Sequence, residues 1–211
     1  MACLRVERRR HQETVLRKTS NAALKKTGGT AKPKSQPAAV ERPGSWHLAR
    51  TETERRLSDF EFGLERLAQA YYRWKAACLA AVCDVPLTGD DVAVLNVVRM
   101  GDEPKRLSEI GQLLNRVDVP NLQYATRKLV RSGLIETEGS SSRKETRYRA
   151  TATGRSVTEA YAALRAATLP PMLEALDGWA AKSETTSIQL DLIASLYAQA
   201  AQVAITRRHQ P

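Results

Sequence analysis

The sequence predicts a mainly α protein that carries one small sheet of two to three strands. Three observations predict it. Apolar residues recur at helical spacing from Leu57 to Ala81 and again from Ile188 to Val203, each a stripe along one side of a long helix. Between them, Leu107 to Arg149 reads as a short helix, a turn, a second helix, and two strands joined by a basic loop. That order is a helix-turn-helix with a wing, here flanked by long N- and C-terminal helices.

Charge is spread unevenly along the chain. Net charge is +10 over 211 residues, yet the first 50 hold 12 of the 33 Lys and Arg and only 3 of the 23 Asp and Glu. Residues 1–44 mix those charges with Gly, Pro, Ala and Ser and show no apolar period. Such a segment cannot offset its ordering entropy by burial, so a mostly disordered basic tail is expected. A tail of this sign is drawn to polyanions without reading sequence, or serves only solubility. Cys3, Cys78 and Cys83 are an odd number without paired spacing, which points to a reduced, cytoplasmic chain. Cys78 and Cys83 lie among Ala, Leu and Val, a core setting rather than that of a thiol sensor, which needs positive charge nearby. No run approaches eighteen apolar residues and the first twenty lack a signal-peptide core, so no membrane span is expected.

In the first long helix, Leu57, Phe60, Leu64, Leu67, Tyr71, Trp74, Cys78 and Ala81 alternate spacings of three and four. Glu54, Arg55, Glu61, Glu65 and Lys75 fall off that stripe. The expected helix runs from Thr53 to Ala81 and ends before Asp84-Val85-Pro86. It is too long for a small winged domain to cover, so its free end should pack on another long helix, from the C-terminus or from a second subunit.

Thr88-Gly89-Asp90-Asp91 fits a capping box, with a Thr cap and an acid three residues on. Val92, Leu95 and Val98 then form the buried face of a support helix that ends at Met100-Gly101. Lys105-Arg106-Leu107 reads as a very short strand closing the wing sheet. Ser108 is expected to cap the next helix, with Ile110, Leu113 and Leu114 inward and Gly111 allowing close approach. Asn115 to Val119 form the turn, and Asp118 with Pro120 suits a helix start.

The second helix, about 119–132, divides into two faces. Leu122, Ala125 or Thr126, Leu129 and Val130 point to the core, leaving Asn121, Gln123, Tyr124, Arg127, Lys128 and Arg131 outside. Asn and Gln pair in a bidentate way with adenine, and Arg pairs with guanine or phosphate. Gly133 ends the helix, Leu134 to Thr137 alternates as a strand, and Ser140 to Lys144 forms a flexible basic tip before Thr146 to Arg149 returns. From 119 to 149 there are seven Lys and Arg against three Asp and Glu. The excess lies beside the helix that would enter a DNA groove.

Beyond the wing, Thr151 caps a helix with Val157, Tyr161 and Leu164 on one face, and Pro170-Pro171 should interrupt it. Met172, Leu173, Leu176 and Trp179 form a short amphipathic segment. Ser183 is expected to open the last helix, with Ile188, Leu192, Leu196, Ala200 and Val203 along one face.

These motifs carry a resemblance. From about Leu57 to Leu196 the chain resembles the MarR family of bacterial winged-helix regulators, through LSEIGQLL, ATRKLVRSGLI and RKETRYRATATGR. The last segment is similar to the family's wing and the Leu-Thr-x-x-Gly helix start that follows, with Ala150 where Leu is usual. The family's wing commonly places Asp before two basic residues; here Ser142 precedes Arg143 and Lys144. The basic pair carries over and the orienting carboxylate does not, so phosphate contact is expected more firmly than minor-groove reading. The resemblance implies a two-fold dimer that sets two recognition helices about one DNA turn apart. In that organisation residues 45–211 form one winged-helix domain, with 45–84 and 151–211 as dimerisation helices and 88–150 as the DNA-binding part. Effectors in the family bind between the dimer helices and the winged domain, where Tyr71, Tyr72 and Trp74 would line the cleft; plain core roles are the alternative for these rings.

Catalysis is not expected. His11, His47 and His209 lie outside the folded middle without metal spacing. No Gly-rich loop follows a strand to hold phosphate. The function expected is a dimeric, sequence-specific regulator of transcription acting on double-stranded DNA in the cytoplasm, at the nucleoid, gated or not by a small molecule. No cofactor or metal is expected. Asn121, Gln123, Tyr124, Arg127, Lys128 and Arg131 would contact DNA from the helix, and Arg143, Lys144 and Arg147 from the wing. An architectural binder driven by the basic tail is the alternative, and a winged-helix protein-interaction module the third.

Overall fold

In a computed structural model of the chain, residues 47–139 and 146–207 are described. Helix α1 spans Glu52–Ala80. It starts on a capping box: Thr51 Oγ1 accepts from the Glu54 N–H at 3.2 Å, and the Glu54 carboxylate accepts from the Thr51 N–H at 2.8 Å. Together these satisfy two of the amides a helix start leaves unpaired. Helix α2, Gly89–Arg99, begins on the Thr88/Asp91 box read from the sequence, and a 3₁₀ turn at Met100–Asp102 follows. Strand β1 is Lys105–Arg106, helix α3 Leu107–Leu113 and helix α4 Val119–Arg131. The wing strands are β2, Ile135–Glu138, and β3, Arg147–Ala150. Helix α5 spans Ala152–Glu174 and helix α6 Trp179–Arg207.

The sheet is antiparallel in the order β1-β3-β2. Lys105 lies opposite Tyr148, and Ile135 opposite Ala150. The short strand expected at Lys105-Arg106-Leu107 does close the wing sheet, though only Lys105 and Arg106 belong to it and Leu107 already opens α3. The core gathers Leu79 from α1, Val92, Leu95 and Val98 from α2, Ile110 from α3, Leu122, Ala125 and Leu129 from α4, and Val157 from α5. Leu134 and Ile135 join them where β2 begins. One motif fixes that corner. The Thr151 hydroxyl donates to Gly133 O at 2.7 Å while accepting from the Gly154 N–H at 3.0 Å. A Cβ on Gly154 would stand 1.9 Å from Leu134 O, so only glycine lets α5 start this close to β2. This is the physical content of the Thr-x-x-Gly start.

Several sequence expectations are corrected. Arg106, not Ser108, precedes α3, and the Glu109 carboxylate accepts its N–H at 2.8 Å. Leu113 is 52% exposed rather than inward. The two prolines at 170 and 171 do not interrupt α5, which continues through them to Glu174. Pro holds a helical φ, so the chain can stay helical where the carbonyls one turn back, Ala166 and Ala167, give up their bonds. Helix α6 opens at Trp179, four residues before Ser183, after Gly178 at φ 73°. Lys75, placed off the stripe, is buried at 3% exposure, whereas Leu57, Phe60, Leu67 and Tyr71 on the stripe are exposed.

The described residues up to Tyr161 form one compact unit, and those from Ala162 onward a second. In the second, no residue of α6 is buried, and Ile188, Leu192, Leu196 and Val203 are exposed. Contrary to expectation, α6 is long and apolar enough to cross a membrane by length and composition alone. Asp191 lies near its middle, and a carboxylate at mid-bilayer costs about 2.5–3.5 kcal/mol, which favours a helix partner over lipid.

Candidate nucleic-acid interface

Helix α4 is positioned from both ends. At its start Asp118 is the N-cap and Pro120 sits in the first turn. Arg116 reaches across the turn and donates to both oxygens of Asp118, at 2.9 and 2.6 Å, and to Asp90 of α2 at 3.2 Å. The Arg116 guanidinium, with Asn121 as a second donor, holds the Asp118 carboxyl far below the ordinary carboxylate range. The tightness of the turn also depends on Gly111, where a Cβ would lie 3.2 Å from Arg116 O and 3.4 Å from Leu122. In its last turn α4 is tied by Lys128, whose ammonium donates to Asp91 at 2.7 Å. The same Asp91 oxygen accepts from the Thr88 N–H and hydroxyl at 2.9 and 3.0 Å. At its end Gly133 takes φ 69°, the left-handed stop expected of a helix terminus.

The inner face of α4 is sealed by Leu122, Ala125, Thr126 and Leu129. Asn121, Tyr124, Arg127 and Arg131 are exposed and Gln123 is half-buried. Tyr124 is 59% exposed. The Arg127 Nε donates to Gln123 O at 3.1 Å along its own helix, which lays the guanidinium over the surface. Lys128 is the exception among the predicted contacts, since its charge is taken by Asp91. Arg147, on β3, donates to Pro104 O at 3.1 Å and is half-buried. Arg143 and Lys144 lie outside the described residues. On the same strand Arg149 pairs with Glu136 of β2 at 2.8 Å, so it braces the wing.

Sequence reasoning did not find the roles of Arg116, Asp90 or Lys75. The Arg-x-Asp spacing across the turn was the available signal for Arg116. For Lys75 it was Tyr71 and Tyr72, four and three residues earlier on a helix, a spacing that brings side chains together. The Lys75 ammonium lies 4.4 Å from the Tyr71 ring centre and 4.0 Å from that of Tyr72. Burial pushes its pKa down. Trp74 stacks on Tyr71 at 6.4 Å and meets Tyr161 at 6.1 Å. The ring faces expected to line an effector cleft are thus partly taken by the protein's own cation. Cys78 is buried, as expected of a core thiol, and Cys83 is half-buried. No group of metal ligands occurs among the described residues.

Known proteins place this geometry. The family model described as "Winged helix DNA-binding domain" matches residues 87–154, the stretch from α2 to the start of α5. Among solved structures, AbfR of Staphylococcus epidermidis, in its reduced form bound to DNA, is 18% identical with a TM-score of 0.57, over 72% of this chain and 99% of its own. The MarR family transcription regulator SP03579 is 17% identical with a TM-score of 0.55, over 71% and 95%. Sco5413, a MarR family transcriptional regulator from Streptomyces coelicolor, is 21% identical with a TM-score of 0.52, over 65% and 94%. The fold is the MarR-type winged helix. At such identities the likeness is one of fold. No curated protein sequence matches the chain. Within this winged helix α4 holds the place of the second helix of the helix-turn-helix, and β2 and β3 are the wing strands.

Proposed function

We propose that the chain is a homodimeric, sequence-specific regulator of transcription that binds double-stranded DNA with α4 in the major groove. One observation carries the reading: α4 is locked to the core on one face while presenting Asn121, Gln123, Tyr124, Arg127 and Arg131 on the other. A rigidly held helix with amide and guanidinium groups on its outer face is what base reading requires. Arg127 and Arg131 supply phosphate or guanine contacts, and Asn121, Gln123 and Tyr124 base-edge or register contacts. The wing, through Arg143, Lys144 and Arg147, lies on the backbone or minor groove. Structures such as that of AbfR bound to DNA support the mode of binding. The exposed apolar faces of α1 and α6 support the dimer, because a second copy would cover them. Gating by a small molecule would act at Tyr71, Tyr72 and Trp74, where the Tyr71 and Tyr72 rings stay exposed.

The test is affinity for a selected duplex against a scrambled one as salt is varied. Arg127→Ala and Gln123→Ala should each cost about 1–3 kcal/mol on the selected duplex and far less on the scrambled one. Arg143→Ala should weaken both alike and flatten the salt dependence. Equal affinity for the two duplexes, persisting in a chain without residues 1–44, would replace this reading with architectural binding. Lack of any duplex binding at low salt would leave a protein-interaction module.

A further inference from the structure

We propose that the first turn of α2, Thr88 to Asp91, is a junction that transmits the position of α1 to the recognition helix, with Asp90, Asp91 and Lys128 as positioning residues that do not touch DNA. Three contacts from four consecutive residues carry it. Gly89 sits against α1 so closely that a Cβ would lie 2.6 Å from Tyr72 O and 2.9 Å from Tyr72 Cα. Backbone meets backbone there, and neither side can yield by turning a side chain. The next residue, Asp90, accepts from Arg116, whose other bonds hold Asp118 at the head of α4. The one after, Asp91, accepts from Lys128 in the last turn of α4 while also closing the Thr88 cap. The head and the last turn of α4 are therefore pinned to the same turn that abuts α1.

The two ion pairs differ in setting. The Asp91 side chain is 5% exposed and that of Lys128 24%, whereas Asp90 is 54% exposed. The sheltered pair is screened least by salt, so it is the stronger constraint. On the α1 side, the Lys75 ammonium lies on the Tyr72 ring, adding a cation to the helix face that Gly89 meets. Because Lys128 is spent on Asp91, its removal should not subtract a phosphate contact. A displacement of α1 reaches α4 through Gly89 and both carboxylates together.

The inference rests on the DNA-reading role of α4, and the test separates the two. In the full chain, Lys128→Met and Asp91→Asn should each lower affinity for the selected duplex about tenfold, a coupling of ordinary size. Affinity for a scrambled duplex should stay the same or tighten slightly, and the salt slope should not change. The double variant should be no weaker than the weaker single, as expected when two groups act through one contact. If Lys128→Met instead weakens both duplexes alike and removes about one unit of salt slope, Lys128 is a phosphate contact and the junction is wrong. If the unaltered chain does not distinguish the duplexes, the regulator reading fails, and hydrogen exchange then judges the junction alone. Asp91→Asn should speed exchange at the α4 amides while leaving β2 and β3 unchanged. Uniform acceleration, or none in α4, overturns it.

Discussion

Gly154 shows how one missing carbon sets a corner of the molecule. A Cβ there would stand 1.9 Å from Leu134 O, in the backbone that leads into β2. Gly154→Ala should therefore destabilise by about 2–4 kcal/mol, as overpacking against backbone does. Gly63 is the internal control: nothing lies within 4 Å of its Cβ position, and Gly63→Ala in mid-helix should stabilise by about 0.5–1 kcal/mol. Urea unfolding of both variants checks the pair, and a loss under about 0.5 kcal/mol for Gly154→Ala would contradict the account. Asp118 gives a pH signature. Its carboxyl is held below its ordinary value of 3.8, so it contributes stability above that pH, and the contribution fades as pH falls through and below about 4. Asp118→Asn should lower the melting temperature at pH 7, and the difference should shrink at pH 3 and in high salt, the group being exposed. A difference independent of pH would rule out this role. The Thr151-x-x-Gly154 start was legible because both residues act locally. The burial of Lys75 was not, since the apolar stripe places Tyr71 but is silent on a cation that folds back onto its ring and that of Tyr72.

Periodicity placed the faces of α4 better than those of the shorter α3. In α4, thirteen residues long, the division into a core face and a solvent face was legible apart from Lys128, whose ammonium turns to Asp91. Leu129 is fully buried there, and Leu129→Ala should cost about 2–5 kcal/mol. In α3, only seven residues long, the same reasoning turned Leu113 inward, although it is exposed. Two turns do not average out the error, and α3 ends at Leu113 just as the chain departs from helical spacing. Leu113→Ala should accordingly change stability by no more than about 0.5 kcal/mol; thermal or urea melts of the two leucine variants compare them directly. Helix boundaries were less legible than faces. Ser108 looked like a cap from its type alone, but the Glu109 carboxylate already satisfies the Arg106 amide. In α5, the proline pair marked a break by the rule for isolated prolines, yet the helix runs through both.

For the whole molecule, the long helices matter as much as the winged domain they flank. Leu57, Leu67 and Tyr71 on α1 and Ile188, Leu192 and Leu196 on α6 are exposed in the single chain. Faces of this size call for a partner. Sedimentation should give twice the chain mass, and Leu192→Glu with Leu196→Glu should shift it to monomer. Persistence of the dimer in that double variant would move the interface away from α6. The sequence reading anticipated the stripes but not which parts of them the chain would leave open, because burial by a second copy leaves the same pattern as burial within one. The central claim is that α4 reads DNA sequence from a two-fold pair. Selection of bound fragments from random double-stranded DNA by the full chain tests it most directly. The account predicts a palindromic site whose half-sites lie about one helical turn apart, bound roughly a thousandfold or more tighter than scrambled DNA at physiological salt. Recovery of fragments without a shared sequence, bound no tighter than the starting pool, would contradict it.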